Sequence, residues 1–312
     1  MKFNKPITAV SMYHNLIFTA SKDNTLKIWN NQITLNFKMA LEIDDEEIIE
    51  IFIVDYYIIA FSRYKVLIWD NNEYYNFRPD IIQKKPFKNL LGPLKVDLID
   101  NQLLLVLADQ IVIVDVSNNF ETIQTITITS DDNKFLGANF SGKKLIILEF
   151  DVLGSIKILR ISIYGRKESG YTFEGKINRE ISLDEWERTH FDQLIVSDDY
   201  IGILNLSKED TLILYSIQTL EFVNEYIICP SKVLIENWFV HDNSLYYIAG
   251  EFKKQNYLYS FDFNTRKTER FFLDRSITAA SISNNNLICG FSDGDIQIIN
   301  LNSDIKTIFN FK

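Results

Sequence analysis

The stretch Leu16-Ile17-Phe18-Thr19-Ala20-Ser21-Lys22-Asp23-Asn24-Thr25-Leu26-Lys27-Ile28-Trp29 decides the fold of this chain. Its first residues are apolar, and Asp23 and Asn24 follow them with short side chains that hydrogen-bond nearby backbone in tight turns. The last five residues alternate between the two sides of a β-strand and end in tryptophan. The stretch therefore predicts a β-hairpin.

Turns of similar composition recur along the chain, each between two apolar segments and most of them about 40 to 45 residues after the last. They lie at His14-Asn15, Asp55, Asp100-Asn101, Ser141-Gly142, Asp198-Asp199, Asp242-Asn243 and Asn284-Asn285. This spacing is expected of four-stranded blades. The sequence thus predicts an all-β chain whose residues 1–312 form a single seven-bladed β-propeller of antiparallel blades. Six blades remain the alternative if the glycine-rich region of blade four has another structure.

The order of residues in the first hairpin resembles that of a WD repeat. Thr19 or Ser21 supplies the hydroxyl group of the second strand, Asp23 lies in the turn, and Trp29 ends the third strand. The Gly-His pair that usually precedes this pattern is missing, so the buried hydrogen-bond network of that family cannot be complete. Such motif residues occur in blades one, two and seven, whereas blades three to six follow only the period. Trp69, which corresponds to Trp29, is expected to pack between blades.

Two further expectations concern the glycines of blade four and the outer strand of blade seven. Blade four, roughly Phe135 to Arg179, carries Gly154, Gly165, Gly170 and Gly175, more glycine than any other part of the chain, so its loops are the least predictable. The segment Asp304 to Phe311 alternates as a complete strand, so it should form the outer strand of blade seven without help from the N-terminal residues.

Composition limits the classes of function. Nearly half of the 312 residues are apolar, which fits a large strand-rich core. The net charge of −10 opposes general binding to nucleic acid or anionic lipid. No apolar run approaches the roughly 20 residues of a membrane span. With no signal-peptide pattern at the start, we expect an intracellular protein, cytoplasmic or nuclear.

We find no catalytic or metal-binding motif. His14, His190 and His241 lack the spacing of metal ligands, and neither a nucleophile elbow nor a phosphate-binding loop occurs. Cys229 and Cys289 are too few for a disulfide framework and are expected to be buried apolar residues. The sequence predicts a protein that is not an enzyme and that binds no cofactor or metal.

The two longest connections between blades are the candidate binding sites for a partner protein. Each combines an aromatic residue with a charged rim, as interface hot spots often do. The connection Arg78 to Leu91 carries Lys84, Lys85, Phe87 and Lys88, and the connection Ile181 to Thr189 carries Asp184, Glu185, Trp186 and Glu187. Ser182 and Glu185 also form a capping-box pattern, which predicts a short helix. The alternative is that both connections are solvated loops.

The resemblance implies a non-catalytic scaffold or adaptor subunit that holds one or more proteins in a multiprotein complex. This inference is an analogy from fold. A narrower alternative is a propeller subunit that supports a nucleic-acid-modifying enzyme. A less favoured alternative is an enzyme or ligand-binding propeller with its site in the central channel.

Overall fold

The computed structural model of the chain describes residues 5–14, 16–30, 36–42, 47–55, 57–62, 66–70, 95–107, 109–127, 134–153, 156–168, 170–181, 194–205, 210–229, 234–251, 254–273, 275–283, 285–301 and 308–310. These residues form seven antiparallel sheets. Blade one consists of β1 (Ile7–Tyr13), β2 (Leu16–Ser21), β3 (Thr25–Asn30) and β4 (Asn36–Glu42). Blade two consists of β5 (Ile48–Val54), β6 (Tyr57–Ser62) and β7 (Val66–Asp70). Blade three consists of β8 (Lys95–Ile99), β9 (Gln102–Val106), β10 (Gln110–Asp115) and β11 (Glu121–Thr127).

The remaining blades follow in chain order. Blade four consists of β12 (Lys134–Ser141), β13 (Lys144–Leu153), β14 (Ile156–Lys167) and β15 (Gly170–Ile181). Blade five consists of β16 (Leu194–Val196), β17 (Tyr200–Asn205), β18 (Asp210–Ser216) and β19 (Phe222–Cys229). Blade six consists of β20 (Leu234–His241), β21 (Ser244–Glu251), β22 (Lys254–Asp262) and β23 (Thr268–Phe272). Blade seven consists of β24 (Ile277–Ser283), β25 (Asn286–Phe291), β26 (Ile296–Asn300) and β27 (Ile308–Asn310).

Strands in each sheet are hydrogen-bonded in chain order, so every blade is a simple antiparallel meander. The fold is a seven-bladed β-propeller, as predicted, and the six-bladed alternative is wrong. Six blades show four strands and blade two shows three in the described part of the chain. A fourth strand of blade two would fall in residues 71–94, which lie outside that part.

The core is divided into one apolar cluster for each pair of neighbouring blades. Strand β9 shows the principle, because all five of its residues are buried. Leu103 and Leu105 pack against blade two, whereas Leu104 and Val106 pack against blade four. The unbroken apolar run predicted this burial on both faces. Trp69, only 1% exposed, belongs to the cluster between blades one and two, as expected.

Within the described residues, the outer strand of blade seven comes from the C-terminal segment, as the sequence predicted. Strand β27, the described part of the segment Asp304 to Phe311, pairs with β26 at the outer edge of blade seven. Blades one and seven meet through apolar packing, in which Ile7 and Val10 lie beside Ala279 and Ile288. The contact is close at Gly290, where an added Cβ would lie 2.5 Å from Ile7 Cγ2. Glycine therefore allows the first and last blades to approach each other.

The predicted turns between first and second strands adopt the backbone geometry that such residues favour. His14, Asp55, Asp100, Asp242 and Asn285 all have positive φ angles, between 46° and 59°. Asparagine and aspartate tolerate this left-handed conformation better than most residues. The repeat was therefore visible in the sequence because each blade needs a tight turn at the same place.

Blade four lies where the sequence placed it, and the structure defines the strands around its glycines. Gly165 and Gly175 lie inside β14 and β15, and Gly170 begins β15, so these glycines are not loop residues. Gly154 lies outside the described residues. Space explains Gly175, because an added Cβ would lie 2.7 Å from Leu220 Cδ1 of blade five. The result is a hairpin of two 12-residue strands, the longest of the described elements.

Candidate interaction surfaces

The motif residues of the first hairpin form part of the arrangement that the resemblance implied. Trp29 Nε1 donates a hydrogen bond of 2.8 Å to Thr19 Oγ1, and both residues are buried. Asp23 Oδ1 accepts hydrogen bonds from the backbone N–H of Thr25 at 3.2 Å and from its hydroxyl at 2.6 Å. Asp23 therefore closes its own turn, while the hydroxyl–tryptophan pair fixes the third strand against the second.

The predicted partner-binding residues lie outside the described part of the chain. This holds for Lys84, Lys85, Phe87 and Lys88, and also for Asp184, Glu185, Trp186 and Glu187. The helix predicted after Ser182 falls in the same region. The described chain resumes at β8 and β16, respectively. The two predicted binding sites therefore remain predictions.

The described residues offer little reactive chemistry. Within them, no group of three or more His, Cys, Asp or Glu is placed to hold a metal ion. Cys289 is fully buried, and desolvation raises the pKa of its thiol to about 12. A thiol in that state is protonated at neutral pH and unreactive. His190 lies outside these residues, and the side chain of Cys229 is not described.

Side chains at the turns between first and second strands join neighbouring blades. Asn101 Nδ2 donates to Asp55 Oδ2 at 3.3 Å, between blades three and two. Ser141 Oγ donates to the carbonyl of Ser197 at 2.9 Å, between blades four and five. The His241 ring is hydrogen-bonded to the side chain of Asn285, between blades six and seven. This histidine therefore has a structural partner, and the turns brace the ring.

Blades three and four are joined in a second way, near their outer strands. Gln124 Oε1 accepts a hydrogen bond of 2.6 Å from the backbone N–H of Tyr171, and Gln124 Nε2 donates to the carbonyl of Tyr171 at 3.0 Å. The Tyr171 hydroxyl donates to Gln102 Oε1 at 2.7 Å in the interior. The side-chain amide of Gln124 thus pairs with the backbone of Tyr171 as the backbone of a neighbouring strand would.

A charged network lies on blade four, on the side of the sheet that faces blade three. Arg160 donates to the carboxylate of Asp151 and lies 3.6 Å from Glu149 Oε2, and its Nε donates to Asn178 at 3.3 Å. Burial raises the pKa of Glu149, and the charge of Arg160 opposes this shift. The network connects β13, β14 and β15.

The outer strand of blade five exposes apolar side chains. Phe222 is 58% exposed, Val223 37% and Ile227 62%. Scattered apolar residues are normal on protein surfaces, but three on one eight-residue edge strand are unusual, because exposed apolar edges promote association. This strand was not identified from the sequence as a candidate binding surface. Its signal was the segment Phe222 to Cys229, which contains no lysine, arginine or proline.

Comparison with known proteins supports the fold and does not extend to a family. No protein-family model and no curated protein sequence matches this chain. Among solved structures, BamB from Moraxella catarrhalis has a TM-score of 0.59 at 12% identity, over 94% of this chain and 82% of that chain. The computationally designed Ika8 protein has a TM-score of 0.53 at 12% identity, over 95% and 96% of the two chains. At such identity the likeness concerns architecture alone. The described residues contain no helix long and apolar enough to cross a bilayer.

Proposed function

We propose that this chain is a divergent WD-repeat propeller that acts as a non-catalytic interaction subunit of an intracellular multiprotein complex, in the cytoplasm or nucleus. The hydrogen bond between Trp29 and Thr19 supports the relationship to WD repeats, because it joins the two motif residues of blade one. The net charge of −10 favours proteins over nucleic acid or anionic lipid as partners.

The apolar outer strand β19 carries this proposal. A rigid ring with one core cluster per blade pair does not need Phe222 and Ile227 at its surface for stability, since both are more than half exposed. Contact with another protein accounts for them, because exposed apolar side chains are removed from water only when a partner covers them.

Affinity purification from the native cell tests the proposal, with three forms of the protein compared. The wild type should retain a stoichiometric protein partner, and the double variant Phe222→Lys/Ile227→Lys should lose it. The matched control, Thr125→Lys/Thr127→Lys, makes the same change of charge on exposed positions of β11, the outer strand of blade three. The control should retain the partner. Equal retention by all three forms, or turnover of a substrate by the purified chain alone, would contradict the proposal.

A further inference from the structure

Strand β19 has a free edge that suits pairing with another strand. It is the last strand of its sheet and pairs with β18 on one side. On its other side, no strand lies within hydrogen-bonding reach among the described residues. The backbone groups on that side bond to no described strand, and pairing of such an edge with an added strand supplies affinity in many peptide complexes.

The other outer strands with described side chains are protected against such pairing. Exposed residues of β15 include Lys176, Asn178 and Glu180, and those of β23 include Glu269 and Arg270. Strand β11 exposes threonines and uses Gln124 to bind blade four. Charged side chains on an edge discourage a second strand. Strand β15 exposes one large apolar residue, Phe173, among its charged residues, whereas β19 exposes Phe222, Val223 and Ile227 and a single charged residue, Glu225.

One side of β19 faces a groove between blades four and five. Phe222 contacts Tyr215 edge-on at 6.0 Å, and Tyr215 belongs to the core cluster that these blades share. Glu225 and Ile227 pair with Ile213 and Thr211, which follow the same side of β18. From blade four, the half-buried residues Ile177, Arg179 and Ile181 of β15 lie on the facing side, and Ile177 and Ile181 pack against this cluster. Side chains of an added strand would therefore enter a groove that is mainly apolar, with Glu225 on the side of β19 and Arg179 on the side of β15.

The charge on β19 specifies the residue that an added strand places directly opposite it. Glu225 lies between Phe222 and Ile227 on this side of β19, and it has no ion pair within the described part of the chain. A second copy of this chain is a poor occupant in the register centred on Glu225, because antiparallel self-pairing there places two Glu225 carboxylates opposite each other. A basic residue opposite Glu225, with apolar residues two positions before and after it, complements the strand in both charge and polarity.

We propose that β19 binds an extended segment of a partner protein as a fifth strand of blade five, and that the segment has the pattern apolar-x-basic-x-apolar. This inference rests on the proposed function and specifies its surface. The side chains of the segment fill the groove between blades four and five, while its backbone pairs with β19 between the irregular positions near Val223 and Ile228.

The probe is a fluorescently labelled peptide, acetyl-Thr-Ile-Thr-Lys-Thr-Ile-Thr-amide, titrated into the full-length protein and followed by anisotropy. It should bind about tenfold more tightly than the same peptide with glutamate in place of lysine. Glu225→Lys, a change at an exposed position, should reverse this preference. Amide hydrogen exchange should slow across Asn224 to Ile227 when the lysine peptide is bound.

Two further peptides test the backbone pairing, each N-methylated on alternate amides along one of its two edges. At least one of them should lose binding, because its methyl groups block the edge that pairs with β19. Full binding by both, an unreversed preference in Glu225→Lys, or no binding of the lysine peptide would overturn strand addition. The proposed function would still stand in those cases if Phe222→Lys/Ile227→Lys loses the native partner. A native cell without a partner, together with the expected peptide preferences, would instead contradict the proposed function alone.

Discussion

Replacing Trp69 with alanine tests how strongly the side chains between blades hold the ring together. Trp69 is 1% exposed and shares its cluster with Phe18 and Ile28 of blade one. Truncating a buried tryptophan costs about 3 to 5 kcal/mol, because the lost transfer free energy and the cavity add together. With an unfolding entropy of about 2.1 cal/mol/K per residue, this loss should lower the melting temperature of the 312-residue chain by about 5 to 8 °C.

Thermal unfolding followed by far-ultraviolet circular dichroism measures this change, since the whole fold consists of strands in the described residues. Trp69→Phe should show a smaller loss, because the phenyl ring fills part of the cavity. Trp238→Ala is the matched control, since Trp238 is only partly buried at the edge of the cluster between blades five and six. A melting temperature unchanged by Trp69→Ala, or lowered equally by Trp238→Ala, would refute the claim that Trp69 contributes through burial.

Three further predictions concern the seam, the last strand and the charged network. Gly290→Ala should destabilise the protein by about 1 to 3 kcal/mol through overpacking against Ile7, and the double variant with Ile7→Ala should lose less than the sum of the two single losses in chemical denaturation. Deletion of Ile305 to Lys312 removes β27 and leaves β26 as an unprotected edge, so light scattering should detect aggregation, whereas a monomeric product would contradict this. Glu149→Gln should keep or raise stability at pH 7, because burial raises the pKa of Glu149 in the folded state above its ordinary value of 4.5. Relative to that variant, the wild type should gain stability as the pH falls from above the raised pKa to about 4.5, and denaturation at pH 7 and pH 5 measures the difference.

Local signals explain why the sequence predicted the ring so well. The positive φ angles at Asp55, Asp100 and Asp242 are a property of a few adjacent residues, and they recur because each blade begins with the same hairpin. The burial of Leu103 to Val106 on both faces follows from an unbroken apolar run. The assignment of β27 to blade seven needed only alternation near the end of the chain.

Contacts between distant residues could not be predicted in this way. Gln124 and Tyr171 are 47 residues apart, and nothing local marks the glutamine as the partner of a backbone in the next blade. Gly175 looks like a loop residue in sequence, but its requirement comes from Leu220 of blade five. The lack of lysine, arginine and proline in Phe222 to Cys229 was the only local signal at β19, and the exposure of Phe222 and Ile227 depends on which faces the neighbouring blades cover. The predicted sites at Lys84 to Lys88 and Asp184 to Glu187 remain predictions.

The arrangement of the core also separates the proposed binding edge from the seam of the ring. Blade five is bounded by two clusters, one shared with blade four and one shared with blade six. Neither contains a residue of the cluster that joins blades one and seven. Apolar contacts act only between touching side chains. A strand added at β19 therefore extends a sheet whose two core clusters share no side chain with the cluster that closes the ring. A partner segment paired with β19 would leave the contacts of the seam unchanged, so binding would require no opening of the ring, and the cost of ordering would fall on the partner segment.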